Sequence, residues 1–344
     1  MELKNKNLDW INSLRVLATF SVIVLHVAAR ILYQYGSIPN LNWWTGNIYD
    51  SSARFCVPIF LMISGTLIFS KTYENTKEYF RKRVLRILFP FMFWSLIYIA
   101  VGWFFKFNSG EYLSFKEVLL FVLVNLKSGA SFHFWYIYMI IGLYLLFPII
   151  GVWLQNSNKN GIKYFLGIWF LTSLIHLPFI KKLIPNVDIS YFSGYIGFPI
   201  LGYYLSKLSL NFNKKKEIYF SLIVIGIFIT IFGTYVSTKY TGNFYSGFYS
   251  YLSPNVILVA VGIFLLFKDF VRFNSKFILF FSKYSYGTYL VHVLILTAFG
   301  ELGISNVFSN PIIGIPIISA LCFFVSTLII WVVNKLPFGK FISG

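Results

Sequence analysis

Arg15 and His26 stand eleven residues apart in an otherwise apolar run, INSLRVLATFSVIVLH (Ile11 to His26). On an α-helix that interval is roughly three turns plus 20°, so the two side chains share a face about 16 Å apart along the axis. An ionisable group within a bilayer costs roughly 2.5–3.5 kcal/mol on insertion scales, so each needs a partner or a task. Imidazole titrates near neutrality and suits general-base chemistry. Guanidinium presents a fixed fork of donors that matches phosphate. The pair therefore suggests proton transfer at one depth and anion binding at another.

Four further stretches carry side chains of the same kinds. YFRKRVLRILFPF (Tyr79 to Phe91) supplies Arg81, Lys82, Arg83 and Arg86. Arg83 and Arg86 are neighbours on a helical face, and the cluster suits either phosphate binding or membrane orientation. In PIFLMISGTLIF (Pro58 to Phe69), Ser64 and Gly65 fit close helix packing or a ligand contact equally well. SFHFWYIYMIIGLYLLFP (Ser131 to Pro148) gathers His133, Trp135, Tyr136 and Tyr138. An aromatic belt explains the Trp and Tyr, whereas His133 beside aromatic faces could bind a polar acceptor such as a sugar. KYSYGTYLVHVLILT (Lys283 to Thr297) places His292 near mid-membrane. His176 reads as interfacial packing. Cys56 and Cys322 are the only cysteines, too few for a metal cluster, and no metal is expected.

The elements that must position these groups follow from composition. Of 344 residues, 58% are hydrophobic and 12% charged, against about 25% charged in a soluble domain. The chain reads as an all-α polytopic membrane protein, one integral-membrane domain over 1–344. Ten spans are expected, at 11–33, 54–70, 84–105, 132–154, 162–179, 190–206, 217–237, 253–270, 281–300 and 311–334. The short apolar segment 112–126 is expected to be interfacial or re-entrant. The first span itself serves as the insertion signal. The net charge of +18 alternates between basic-rich and basic-poor loops, an orientation signal rather than a nucleic-acid surface. With Arg81, Lys82, Arg83, Arg86, Lys214, Lys215, Lys216, Lys268, Arg272, Lys276 and Lys283 inside, both termini are cytoplasmic. The acids Glu2, Asp9, Asp50, Glu74, Glu78, Glu111, Glu117, Asp188, Glu217, Asp269 and Glu301 all fall in or beside predicted loops. Proton-driven transporters place carboxylates mid-membrane, so histidine is left to do any intramembrane proton chemistry.

Together these segments form a pattern: Arg-x10-His in the first helix, FLMISG in the second, RVLRI leading into the third, HFWYIYMIIGLYLLFP, and late SYGTYLVH. In this order they resemble the integral-membrane acyltransferase family 3, particularly its surface-polysaccharide O-acyltransferase branch. The resemblance covers essentially the whole chain. It implies a ten-helix enzyme of the bacterial plasma membrane that takes acyl-coenzyme A, usually acetyl-CoA, from the cytoplasm. The acyl group goes to a hydroxyl of an extracytoplasmic or lipid-linked glycan. It further implies His26 as the catalytic base, with Arg15, Arg81, Arg83 and Arg86 on the donor phosphates or tunnel and Ser64 and Gly65 along it. His133, Trp135, Tyr136, Tyr138 and His292 fall on the acceptor side. Where many members carry an acid before the second apolar run, this chain has Pro58, so a carboxylate partner for His26 is unassigned; Asp50 is the nearest outer candidate. The alternative is a glycan exporter or flippase without acyl-transfer chemistry.

Overall fold

The computed structural model describes residues 9–70, 76–112, 114–181, 194–272, 275–304 and 310–344. Among them the chain is helical, without a strand. In order run α1 (Asp9–Leu32), α2 (Asn40–Ala53), α3 (Cys56–Ile68), α4 (Thr76–Asn108), α5 (Phe115–Ser128), α6 (Trp135–Asn156) and α7 (Lys159–Ser173). There follow the single turn α8 (Pro178–Lys181), α9 (Gly197–Lys207), α10 (Lys215–Thr241), α11 (Pro254–Phe270), α12 (Lys276–Glu301), α13 (Pro311–Lys335) and the short α14 (Gly339–Ile342).

α1 is the axis of the bundle, packed against α2, α3, α11, α12 and α13. Its sequence makes this possible because apolar residues surround it: Leu14, Ala18, Val22, Ile23, Leu25 and Ala28 are all buried. α10 lies at the periphery. Its buried stripe, Gly226, Thr230, Thr234 and Thr238, recurs every four residues, as one helical face requires. Its other faces expose Phe220, Val224, Phe228, Phe232 and Val236. α4 and α6 likewise expose Phe89, Leu96, Trp103, Leu145, Ile149 and Val152. Apolar exposure on this scale needs a bilayer, because soluble monomers rarely show patches beyond a few hundred Å².

Among the described residues, seven helical stretches are long and apolar enough to cross a membrane. They are Asp9–Leu32, Asn40–Ile68, Lys77–Asn108, Phe132–Asn156, Lys215–Thr241, Gly247–Phe270 and Pro311–Lys335. The expected span 281–300 lies inside α12, which is 26 residues long but richer in Ser, Tyr and Lys. The expected spans 162–179 and 190–206 correspond to shorter helices, α7 of 15 residues and α9 of 11; positions 190–193 lie outside the described residues. Segment 112–126 contributes α5, a separate helix of 14 residues opened by a Ser114–Glu117 capping box.

The second span departs from expectation at its start. Helix begins at Asn40, breaks at Arg54–Phe55 and resumes at Cys56. Pro58 accounts for the break: it has no N–H to donate to the carbonyl of Arg54 four residues earlier, and its ring crowds that carbonyl. Asp50 is thereby drawn into the bundle, which corrects the expectation that every acid falls at a loop. It sits in α2 with no accessible surface. Glu78, Glu217 and Asp9 do sit in first turns, and Glu301 ends its helix. Glu2, Glu74 and Asp188 lie outside the described residues.

α3 and α9 cross closely because both carry glycine at the contact. A Cβ on Gly65 would stand 1.9 Å from the Pro199 carbonyl oxygen, and one on Gly202 2.2 Å from that of Met62. Only hydrogen fits at either place. The two cysteines are buried and free.

Candidate active site

α1 and α12 lie side by side in the same direction and in matched register. At one level the Arg15 guanidinium (Nη1) donates to Ser282 Oγ at 3.3 Å, and Ser282 in turn donates to Asn12 Oδ1 at 2.9 Å. Farther along, His26 stacks on His292, with ring centroids 5.3 Å apart and planes inclined by 24°. The intervals from first contact to second are 11 residues on α1 and 10 on α12. On α1 eleven residues return to the same face within about 20°; on α12 ten residues leave an offset of about 80°, and Ser282 and His292 both still reach α1.

His133 completes a cluster of three imidazoles. Its ring centroid is 5.0 Å from that of His292 and 6.4 Å from that of His26. His133 comes from the 3-10 turn Phe132–Phe134 before α6, and its Nδ1 lies 2.9 Å from Ser131 Oγ. His292 Nδ1 is 2.6 Å from the Tyr289 carbonyl oxygen. A carbonyl only accepts, so Nδ1 carries the proton and Nε2 of a neutral His292 keeps its lone pair. That Nε2 is buried without a partner, as is His133 Nε2. His26 is half-buried, and among the described residues nothing hydrogen-bonds to its ring. Phe132 packs edge-on against it at 5.1 Å.

Two side chains fix the far side of the cluster. The Tyr98 hydroxyl donates to the Leu290 carbonyl at 3.0 Å and accepts from the Leu294 N–H at 3.1 Å. It is thus inserted into the hydrogen-bond ladder of α12 around His292, a known cause of local helix distortion. Cys322 Sγ donates to the His292 carbonyl at 3.4 Å.

A cleft of about 250 Å³ opens at the Arg15 level. Arg15, Lys82, Arg83, Arg86 and Lys283 line it, and no carboxylate side chain does. Its inner wall holds Ser64, Tyr136, Tyr144 and Tyr289. Tyr289 belongs to both places: it lines the cleft, its ring packs against His133 (5.4 Å) and His292 (5.6 Å), and its hydroxyl donates to the His133 carbonyl at 2.5 Å. One aromatic side chain thus separates a cationic cleft from the histidine cluster.

The residues singled out by sequence are distributed unevenly around this arrangement. Arg15, Ser64, Arg83 and Arg86 line the cleft, with Tyr136 beside them rather than on the other side. Gly65 faces Pro199 instead. Arg81 is exposed and does not line the cleft. His26, His133 and His292 come together. Trp135 stacks on Tyr251 at 5.7 Å. Tyr138 is partly exposed, donates to the Leu126 carbonyl at 2.7 Å and packs on Phe91, outside the cluster. His176 lies in the turn that follows α7. Asp50 is ion-paired with Arg54, not with His26. Sequence reasoning passed over Tyr98, Tyr289, Ser282 and Lys283. The last three stand in the same helix as His292, and Tyr289 sits three residues before it, a spacing that makes the two neighbours on one face.

The family model described as an acyltransferase domain matches residues 8–333, so the chain belongs to that family, the one its motifs resemble. A relative in Bacillus subtilis (strain 168), named "Putative membrane-bound acyltransferase YfiQ", is 23% identical over 352 residues, covering 96% of this chain and 92% of the relative. No solved structure matches the chain. The protein is a multi-pass membrane protein of an acyltransferase family.

Proposed function

We propose that the protein transfers an acyl group, acetyl in the first instance, from cytoplasmic acyl-coenzyme A to a hydroxyl of an extracytoplasmic or lipid-linked glycan, in the plasma membrane of a bacterium. One observation carries this reading: on matched levels of α1 and α12, a five-cation cleft stands about 16 Å from a histidine cluster, with Tyr289 shared between them. The length suits a donor whose phosphates bind at one end while its thioester reaches the other.

Arg15, Arg83 and Arg86 hold the phosphates, where charge-assisted hydrogen bonds are strongest. Lys82 and Lys283 add compact charge. The pantetheine arm runs past Ser64 and Tyr144 toward Tyr136 and Tyr289. His26 takes the proton of the acceptor hydroxyl as that oxygen attacks the thioester carbonyl; the new C–O bond forms, the C–S bond breaks, and the thiolate leaves with the proton that His26 returns. His292, with Nδ1 committed to the Tyr289 carbonyl, holds the His26 ring in place. In this reading the basic cleft faces the cytoplasm with both termini on that side, an orientation that the basic-rich loops support.

The test is direct. Purified protein in lipid nanodiscs receives acetyl-labelled coenzyme A and a mixture of soluble glycan acceptors. Label moving into acceptor, or released as acetate, supports the reading. Label left entirely on coenzyme A, with glycan crossing a vesicle bilayer, favours a flippase instead.

A further inference from the structure

A second cavity, of about 390 Å³, opens at the other end of α1. Ala29, Leu32 and Tyr33 line it from α1, and Asp50, Arg54, Tyr195, Tyr249 and Tyr251 from the elements around it. Ala29 stands three residues beyond His26, so the cavity wall and the imidazole share a face of α1. His26 therefore lies between the cationic cleft and this second pocket.

The pocket is built from aromatic faces around one ion pair. Asp50 and Arg54 are joined through Asp50 Oδ1 and Arg54 Nε. The Arg54 guanidinium lies over the Tyr249 ring at 4.3 Å and the Tyr251 ring at 5.7 Å. Tyr249 is itself anchored, donating to Asn47 Oδ1 at 2.6 Å, and Asn47 donates to the Ile231 carbonyl at 3.1 Å. Tyr251 is backed by Trp135, stacked at 5.7 Å. One group in this assembly is unfinished. Asp50 Oδ2 is buried and has no hydrogen-bond partner, although the residue has no accessible surface. Asp50 borders the cavity, and its carboxylate oxygen, shut away from water, lacks a donor; a ligand hydroxyl that reaches it is a group that supplies one.

We infer that this pocket is the acceptor subsite, and that it takes a neutral polyhydroxylated ring, a single sugar residue of a glycan, with Asp50 Oδ2 accepting from a ring hydroxyl. The charge balance selects the class. Arg54 is neutralised by Asp50, so the pocket has no spare cation for an acidic sugar, and a second carboxylate would meet Asp50 Oδ2. The tyrosine faces cover the apolar side of a pyranose, while the few polar groups fix its orientation, the usual division of labour in ligand pockets of about 300–1,000 Å³. The inference depends on the transfer reading for what happens to the bound sugar, not for the binding itself.

Binding is therefore measured separately from transfer. The full chain in nanodiscs is mixed with the methyl glycosides of glucose, galactose and N-acetylglucosamine, and with methyl glucuronide, and saturation-transfer NMR gives dissociation constants without coenzyme A. At least one neutral glycoside is expected to bind, and to bind more tightly than the glucuronide. Asp50→Asn and Tyr251→Ala are each expected to weaken it about tenfold or more, as loss of a hydrogen bond to a charged group does. Tyr251→Ala leaves the buried ion pair in place, so it reports even if Asp50→Asn fails to fold. Absence of binding by the folded wild type, tighter binding of the glucuronide, or unchanged binding in Tyr251→Ala overturns the inference. Neutral glycosides that bind as expected to a protein inert toward acetyl-labelled coenzyme A uphold the pocket and defeat the transfer reading. Transfer with unchanged binding in Tyr251→Ala does the reverse.

Discussion

The imidazole of His26 stacks on that of His292 at 5.3 Å, although the two are separated by most of the chain. His292 is the better anchored: Nδ1 is held by the Tyr289 carbonyl, while His26 has no hydrogen-bond partner among the described residues. A half-buried ring that rests on a fixed one is oriented yet keeps its nitrogens for a substrate.

In the proposed reaction His292 is a positioning residue. His292→Ala should lower kcat for acetyl transfer about tenfold to a hundredfold, leave the KM for acetyl-CoA within about twofold, and change the pH–rate profile, because the stack restrains the base and not the donor. Steady-state kinetics over a range of pH checks all three. A loss confined to KM would contradict the assignment.

Tyr98→Phe removes the hydroxyl inserted between the Leu290 carbonyl and the Leu294 N–H. α12 is then free to close its own ladder, and His292 shifts against His26. The expected result is a several-fold lower kcat at unchanged acetyl-CoA affinity, with thermal stability within about 1–3 kcal/mol of wild type. Binding by calorimetry beside kinetics separates the two effects.

The cleft cations should act on the donor. Arg83→Ala and Arg86→Ala are each expected to raise the KM for acetyl-CoA about tenfold or more, the scale of a lost hydrogen bond to a charged partner. A thioester that ends at the pantetheine, without phosphates, should show a much smaller difference between wild type and variants. Arg81→Ala, at an exposed position outside the cleft, should change neither.

Packing at the α3–α9 crossing gives a stability prediction independent of chemistry. Gly65→Ala places a methyl group 1.9 Å from a backbone oxygen, and neither helix can yield without moving its neighbours. Overpacking of this kind costs about 1–3 kcal/mol. Thermal unfolding followed by size-exclusion chromatography should show a lower midpoint for Gly65→Ala, and no comparable change for Gly142→Ala, where an added Cβ meets nothing.

How much of this was legible beforehand depends on the range of the contact involved. The Arg15–His26 spacing on α1 is a local, periodic fact, and it led to the axis of the bundle. The basic run in the first turns of α4 likewise pointed to the cleft, although which of its cations line it depends on helix rotation: Arg83 and Arg86 do, and Arg81 does not. The meeting of His26, His133 and His292 joins α1, the turn before α6 and α12, and periodicity within one segment carries no information about such a meeting. Asp50 was misplaced for a different reason. The segment from Asn40 to Ala53 is polar, with Asn, Thr, Ser and Asp, so it resembles a loop; inside the bundle Asn47 is bonded by Ser51 and Tyr249, and Asp50 is paired through Oδ1 with Arg54. Intramembrane polar groups that pair with partners far along the chain are invisible to hydropathy.

The central claim is that His26 removes the proton of the accepting hydroxyl, and His26→Ala tests it most directly. Wild type and variant are purified side by side in nanodiscs, matched by elution profile and by acetyl-CoA binding, and single-turnover transfer from acetyl-labelled coenzyme A is followed. Loss of a general base costs about 10²–10⁴-fold, so transfer should fall by that factor while donor binding is retained. Transfer at the wild-type rate by a folded, donor-binding His26→Ala protein would contradict the account.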